Sequence, residues 1–188
     1  MTDRADPAAT ERLWAPWRLG YIKGAEQPEP PPEPRAWRPG AERGCFLCRA
    51  AGEPAEAEAD RRSLVLERDG HVVTLLNRYP YSNCHLLVSP LRHVAELADL
   101  SDEEHLAAMR GLSRLTSALR EQIGARGFNV GLNLGSIAGA GVPGHLHWHC
   151  VPRWPGDHNF MPTLAGVRVI PQSLEAAWEL LRNAIAEH

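Results

Sequence analysis

The chain has 188 residues, of which 44% are hydrophobic and 23% charged, so we expect a packed globular core. The formal net charge of −3 gives no electrostatic reason to expect a nucleic-acid or anionic-membrane partner. The sequence has no run of about 18 apolar residues that would predict a membrane-spanning helix. The start, "MTDRADPAATERL", lacks the apolar core of a signal peptide, so we predict a cytoplasmic protein.

The first 44 residues differ in composition from the rest. The aromatic segment "LWAPWRLGYI" is followed by "GAEQPEPPPEPRAWRPGAE", in which proline and glutamate disfavour a regular helix or strand. We therefore predict an N-terminal arm with a Pro/Glu-rich loop, residues 1–44, and one compact domain, residues 45–188.

Strand patterns follow in the first part of this domain. "SLVLER" and "HVVTLLN" predict two strands joined at Asp69-Gly70, which is a strong hairpin sequence. "HLLVSP" predicts a third strand. Ser101 and Glu104 form a capping-box sequence that begins a long helix, which glycines end. Apolar residues recur along this helix at a helical period: Leu106, Met109, Leu112, Leu115, Leu119 and Ile123.

The second part of the domain alternates strands and loops. "FNVGLNL" predicts a strand, "GSIAGAGVPG" a glycine-rich loop, "HLHWHCV" the next strand and "GVRVIP" a short one. "SLEAAWELLRNAIAEH" predicts an amphipathic C-terminal helix. The hairpins and short loops favour an α+β domain, in which helices cover one side of an antiparallel sheet.

Three of the nine histidines, His145, His147 and His149, alternate with apolar residues in "HLHWHCV". In a strand they share one face, and the apolar residues between them take the core face. Each unpaired buried imidazole would cost roughly 1–3 kcal/mol, so the histidine face must be solvated or polar. Three interpretations remain: a solvated outer face, a plain metal site, or phosphate chemistry assisted by backbone N–H groups of the glycine-rich loop.

The "HLHWHCV" segment fits His-φ-His-φ-His-φ-φ, in which φ is apolar, and so resembles the histidine-triad (HIT) family. "LLNRYPYSNCHLLVSPLRHV", "GFNVGLNLGSIAGAG" and "HWHCVPRWPGDHNFMP" are similar, in the same order, to the branch that contains bacterial diadenosine tetraphosphate phosphorylases. "LWAPWR" is also typical of that branch. The resemblance implies a HIT-like antiparallel sheet with a long helix and a C-terminal helix.

The resemblance further implies an enzyme that transfers a nucleotidyl group through a covalent nucleotidyl-histidine. His147 matches the nucleophile, His149 the histidine that assists the leaving group, and His85 a further histidine on the phosphate side. The implied nucleotide- and phosphate-binding residues are Asn77, Asn133, Gly141 and Val142.

The implied substrate is a small molecule, a dinucleoside polyphosphate, with phosphorolysis favoured over hydrolysis. A nucleoside phosphoramidase of the same family and a nucleotide-binding protein without turnover are the alternatives. The resemblance also implies a homodimer that pairs its sheets. One residue departs from the family pattern, because Cys84 stands where a glycine usually precedes the histidine equivalent to His85.

A metal site is a separate prediction. Cys45 and Cys48 have the spacing of a zinc knuckle. Zinc-bearing relatives complete such a site with residues that match His93 and His145, which implies a structural Zn²⁺ with a closed Cys2His2 ligand set. In the metal-free alternative the two thiols are free and His145 bonds to a loop carbonyl. A redox role for "CFLC" and a requirement for Mg²⁺ are left open.

Overall fold

The computed structural model describes residues 33–54, 57–157 and 172–186, which belong to one of the two compact units of the chain. The predicted boundary between arm and domain stays a prediction, because residues 1–32 lie outside the described residues. The predicted strand "GVRVIP", residues 166–171, also lies outside them. In chain order the elements are α1 (Phe46–Ala51), α2 (Ala57–Ser63), β1 (Val65–Asp69), β2 (Val72–Leu76), β3 (Leu86–Pro90), α3 (Asp102–Ile123), β4 (Gly127–Leu132), β5 (Trp148–Arg153) and α4 (Leu174–Ala186).

The five strands form one antiparallel sheet in the order β1-β2-β3-β5-β4. The predicted β1–β2 hairpin is confirmed, and Gly70 takes a positive φ of 52° in its turn. Strand β5 lies between β3 and β4, so the histidine-bearing strand has a neighbour on each side. The α+β prediction is therefore confirmed.

Side-chain alternation along the strands divides the core between the two faces of the sheet. On β2, Val72 and Leu76 pack into a cluster with α3 and α4, which we call the helical core. Val73 and Leu75 pack into a second cluster around α1, the α1 core. The expectation of helices on one side only is therefore wrong, because the apolar side chains of α1, with Leu47 fully buried, cover part of the opposite face.

Helix α3 confirms the predicted capping box: Ser101 Oγ accepts from the Glu104 N–H, and the Glu104 carboxylate accepts from the Ser101 N–H. The predicted apolar stripe is wrong in its first two turns, where Leu106 and Met109 are each 49% exposed. Small residues, Ala108 and Gly111, lie on the buried side instead, and a Cβ on Gly111 would be in ordinary contact with Val88 Cγ1 at 3.8 Å.

The C-terminal helix α4 packs on the helical core, as predicted. Trp178 of this helix packs against the helical core and donates its indole N–H to the Val65 carbonyl at 2.8 Å. None of the helices in the described part of the chain combines the length and apolar character that crossing a membrane requires.

Candidate functional site

The triad histidines lie at the start of β5. The strand begins at Trp148, so His149 lies within it and His145 and His147 precede it. The predicted strand from residue 145 is therefore three residues too long at its start. Leu146, which lies between the first two histidines, is held by hydrogen bonds that do not belong to the pairing of β5.

The backbone of Leu146 bonds to β3 and to the chain that follows it. Its N–H donates to the Val94 carbonyl at 2.7 Å, and its carbonyl accepts from Ser89 Oγ at 2.8 Å. The predicted alternation still holds for the apolar residues, because Leu146, Trp148 and Cys150 are all buried in the helical core. The polar residues between them are thus turned away from that core.

The position of His147 suits a nucleophile. Its Nδ1 lies 2.9 Å from the backbone carbonyl oxygen of His145. A carbonyl oxygen only accepts, so Nδ1 carries the hydrogen and Nε2 keeps its lone pair. Burial lowers the pKa of His147, an effect that the bond to His145 partly offsets, so the imidazole is neutral near pH 7.

His85 and His149 form a directed hydrogen-bonded pair. The Tyr81 N–H donates to His85 Nδ1 at 3.1 Å, which makes this nitrogen an acceptor. The hydrogen of His85 is therefore on Nε2, which lies 2.9 Å from His149 Nδ1. Because His149 Nδ1 accepts this bond, the neutral imidazole of His149 carries its hydrogen on Nε2.

Asn77 joins this pair from the end of β2. Its Oδ1 accepts from the Tyr79 N–H at 2.9 Å, which directs its Nδ2 toward His85 Nδ1 at 3.3 Å. The structure thus brings Asn77, His85, His147 and His149 together, since the His147 and His149 ring centroids are 5.1 Å apart. The ring of Tyr81 stacks on His85 with centroids 4.9 Å apart, a contact that the sequence analysis missed because "RYPYSNC" indicated only a turn.

Cys84, which departs from the family pattern, adopts a backbone conformation that favours glycine. Its φ is 53°, in the left-handed region, where a side chain is strained. The thiol is buried, and burial raises its pKa to about 12, so it is protonated and unreactive. The chain therefore makes a left-handed turn before His85 with a cysteine at the strained position.

The remaining predicted binding residues lie around the glycine-rich loop. The Val142 carbonyl accepts from the His145 N–H at 3.2 Å, and its side chain packs on the α1 core. Leu132 pairs with Trp148, so Asn133 leaves β4 next to His147. Gly141 is exposed in the loop.

Trp154, directly after β5, packs on the helical core, and its indole N–H donates to the Ile123 carbonyl at 3.0 Å.

Four side chains form a candidate metal centre. The ligand atoms of Cys45, Cys48, His93 and His145 all lie within 4.8 Å of one another. His145 Nδ1 is 3.4 Å from Cys45 Sγ and 3.5 Å from Cys48 Sγ, and His93 Nδ1 is 3.2 Å from Cys48 Sγ. Among the described residues this is the one group of its kind, so a Mg²⁺ site built from oxygen ligands finds no support in this part of the chain.

Both histidines direct Nδ1 toward the cysteines. His145 Nε2 lies 3.0 Å from the Pro90 carbonyl oxygen and therefore donates to it, which leaves the Nδ1 lone pair for a metal. Burial, as the largest cause, lowers the pKa of His145 to about 4, so its imidazole is neutral near pH 7. Two cysteines and two histidines that direct Nδ1 toward them fit Zn²⁺. The metal-free alternative also predicts a carbonyl bond, but it does not explain why Nδ1 faces two sulfur atoms.

Glu42 is a second residue that the sequence analysis missed. Its carboxylate lies 3.2 Å from His93 Nε2, on the side of the ring away from the cysteines. The preceding segment is rich in proline and glutamate. Its composition indicated a loop and did not distinguish Glu42 from the other glutamates. The two-residue gap between Glu42 and Cys45 is the signal that could have placed it near the site.

Comparisons with known proteins agree with this geometry. The HIT domain profile matches residues 58–156. The AP-4-A phosphorylase of Mycobacterium tuberculosis is 36% identical over 177 residues, which cover 91% of this chain and 82% of the relative. An adenosine 5'-monophosphoramidase of Schizosaccharomyces pombe is 28% identical over 113 residues, 60% of this chain and 81% of that protein.

A solved structure of a histidine-triad protein is also similar to this chain. A Zn-bound histidine triad family protein from Mycobacterium smegmatis superimposes with a TM-score of 0.55 at 29% identity, over 66% of this chain and 84% of that one. The profile match and the extended similarity, together with the geometry of the three histidines, show that the chain belongs to the histidine-triad (HIT) family.

Proposed function

We propose that the protein is an enzyme that transfers a nucleotidyl group from a dinucleoside polyphosphate, such as diadenosine tetraphosphate, to inorganic phosphate. The observation that carries the proposal is the bond from His147 Nδ1–H to the His145 carbonyl, which leaves Nε2 as a neutral nucleophile. The substrate class is supported by the similarity to the AP-4-A phosphorylase, which extends over most of both chains. The S. pombe phosphoramidase covers less of this chain at lower identity.

In the first proposed step, His147 Nε2 bonds to the α-phosphorus of the substrate. The bond from this phosphorus to the bridging oxygen breaks, and its electron pair leaves with the oxygen of ATP. An AMP unit then remains on His147. The chemistry suits imidazole, because its neutral form is abundant near pH 7 and it is also a good leaving group.

In the second step, an oxygen of inorganic phosphate bonds to the same phosphorus. The phosphorus–nitrogen bond breaks, its electron pair returns to Nε2, and ADP is released. Attack by water in place of phosphate gives AMP. The acceptor therefore decides whether the enzyme is a phosphorylase or a hydrolase.

We assign His149 and His85 to stabilisation of the phosphate and the leaving oxygen. His85 donates to His149 Nδ1, so the hydrogen of neutral His149 is on Nε2. That N–H is a donor for a phosphoryl or leaving-group oxygen, where negative charge grows in the transition state. Asn77 holds His85 in this tautomer, and Asn133, Gly141 and Val142 are proposed to approach the phosphates from the loop side.

We also propose that Cys45, Cys48, His93 and His145 hold one structural Zn²⁺. Four protein ligands leave no open position, so the ion would fix the segment before β5 and would not activate water. The Zn-bound relative from M. smegmatis supports this assignment. The sheet-paired homodimer and the cytoplasmic location stay predictions, and the exposed edge strand β4 is the surface where sheet pairing would occur.

The experiment is incubation with diadenosine tetraphosphate, with and without inorganic phosphate, followed by chromatography of the products. ADP plus ATP formed only with phosphate is the expected result. AMP plus ATP without phosphate would replace the phosphorylase by a hydrolase. Absence of turnover in both would overturn the proposal and favour the phosphoramidase or a binding protein, which an adenosine phosphoramidate substrate then distinguishes.

The His147→Ala variant tests the role of the nucleophile. We expect its turnover to fall by at least about 10³-fold while nucleotide binding is largely kept. His71→Ala is the matched control, because His71 is exposed at the β1–β2 hairpin. Wild-type turnover by His147→Ala would exclude the covalent mechanism.

A further inference from the structure

Glu42 contacts three of the four residues of the candidate metal centre. Its carboxylate lies 3.2 Å from His93 Nε2, its N–H donates to Cys48 Sγ at 3.4 Å, and its carbonyl accepts from the Cys45 N–H at 3.1 Å. These contacts involve a side chain and both backbone groups of one residue, which lies three positions before the first cysteine.

We propose that Glu42 is the positioning residue of the metal centre: its carboxylate selects the tautomer of His93 that binds metal, and its backbone orders the cysteine pair. The inference rests on the proposed occupancy of the centre by Zn²⁺ and adds to it a residue that is not itself a ligand.

The carboxylate acts through the hydrogen position on His93. An imidazole binds a metal through whichever nitrogen keeps its lone pair, so a hydrogen on Nδ1 would block the observed ligand direction. A carboxylate accepts hydrogen bonds, so it holds the hydrogen on Nε2 and leaves Nδ1, 3.2 Å from Cys48 Sγ, available. The Glu42 side chain is 66% exposed, so we expect its effect to come from this orientation and not from a strong ion pair.

A second contact restricts the same edge of the His93 ring. A Cβ on Gly144 would lie 3.2 Å from His93 Nε2, which is closer than most side-chain contacts, so the chain passes this ring edge without a side chain. The Nε2 edge of His93 is thus bordered by Gly144 and by the Glu42 carboxylate. This packing limits how the ring can turn once Glu42 accepts its hydrogen.

The backbone contacts act on the cysteines. The Glu42 N–H donates to Cys48 Sγ at 3.4 Å and so restricts the direction of this sulfur atom. The bond from the Cys45 N–H to the Glu42 carbonyl closes the turn that leads into α1. A side-chain substitution keeps both backbone contacts, so it isolates the contribution of the carboxylate.

The experiment is a zinc titration against a competing chelator for the wild-type protein and the Glu42→Ala, Glu42→Gln and Glu53→Ala variants. We expect Glu42→Ala to weaken zinc binding about 10-fold. Glu42→Gln should stay close to wild type, because its amide oxygen still accepts from His93 Nε2–H. Glu53→Ala is the matched control, since Glu53 is exposed and pairs with Arg35 instead of a ligand.

The titration distinguishes failure of the metal assignment from failure of the role of Glu42. A wild-type protein that binds no zinc would overturn the metal assignment and, with it, the role of Glu42. Wild-type affinity in Glu42→Ala, or an equal loss in Glu53→Ala, would overturn the role of Glu42 alone. As a second measurement, nitrogen NMR of the metal-free protein should show the His93 hydrogen on Nε2 in wild type and a mixture of tautomers in Glu42→Ala. An unchanged His93 tautomer in Glu42→Ala would also overturn the role of Glu42.

Discussion

His147 donates its Nδ1–H to the backbone carbonyl of His145, and the two atoms are 2.9 Å apart. The side chain of the same His145 lies among the cysteines of the candidate metal centre. One residue therefore belongs to both sites: its imidazole to the metal centre and its carbonyl to the proposed nucleophile. The orientation of His147 depends on where His145 is held.

The first prediction concerns removal of the metal. We expect a chelator to lower kcat by about 10- to 100-fold with little change in KM, because a displaced His145 carbonyl would misplace His147 Nε2. The measurement is steady-state kinetics alongside zinc content, with the zinc-saturated chelator as control. Added zinc should restore kcat. A metal-free protein that keeps its full kcat would show that the two sites are independent.

The second prediction concerns His85. His85→Ala removes the N–H that donates to His149 Nδ1, so we expect kcat to fall by about 10²-fold. His85→Gln keeps an N–H donor near the position of Nε2 and should recover part of that loss. The readout is kcat for diadenosine tetraphosphate, with His71→Ala as control. Equal losses in the Ala and Gln variants would mean that this hydrogen bond does not contribute to the reaction.

Much of the fold was predictable because its signals are local. The Asp69-Gly70 turn and the Ser101–Glu104 capping box each depend on residues next to one another in the chain, and both predictions are confirmed. The start of β5 was not predicted correctly, because it depends on hydrogen bonds from Leu146 to Ser89 and Val94, which lie far away in the sequence.

In the candidate site, too, some residues were predictable from the sequence, whereas others depend on contacts between distant parts of the chain. The spacing of the triad histidines left phosphate chemistry as one of three interpretations, and the family resemblance favoured it. The same resemblance implied His85 and Asn77, which the structure brings close to His147 and His149. Glu42 could not be predicted, because its contact with His93 joins segments 51 residues apart and depends on the tertiary fold. The left-handed conformation of Cys84 could not be predicted either, because a cysteine in the sequence does not indicate a positive φ.

The third prediction concerns the pH dependence of stability through Glu104. Its carboxylate is buried and accepts from Arg92 at 2.8 and 2.7 Å and from the Ser101 N–H at 2.9 Å. The Arg92 hydrogen bonds, as the largest cause, lower the pKa of Glu104. A lowered pKa in the folded state means that this stabilisation is complete above about pH 4.3, the ordinary pKa of glutamate, and is lost as the pH falls through the folded-state pKa.

We therefore expect Glu104→Gln to lower the free energy of unfolding by about 1–3 kcal/mol at pH 7, because it removes a charged acceptor of three hydrogen bonds. The difference from wild type should shrink as the pH falls below about 4. Urea unfolding at pH 7 and below about pH 4 measures this difference in the free energy of unfolding. Glu96→Gln in the neighbouring turn is the control. A difference that grows in acid would contradict the predicted sign.

The fourth prediction compares two buried cysteines in different backbone conformations. Cys84 has a φ of 53°, whereas Cys150 lies in β5 and pairs with Leu86 and Val130. In the left-handed region glycine avoids a steric cost of about 1–2 kcal/mol that other residues carry. In a strand, glycine is instead about 0.5–1 kcal/mol worse than alanine.

Cys84→Gly should therefore be about 1 kcal/mol more stable than Cys84→Ala, whereas Cys150→Gly should be less stable than Cys150→Ala. Comparing Gly with Ala at one site cancels the loss of the buried thiol, which both variants share. The measurement is the free energy of unfolding of the four variants in urea. If Ala were the more stable replacement at both sites, the left-handed turn before His85 would not be strained, and the departure from the family's glycine would carry no energetic cost.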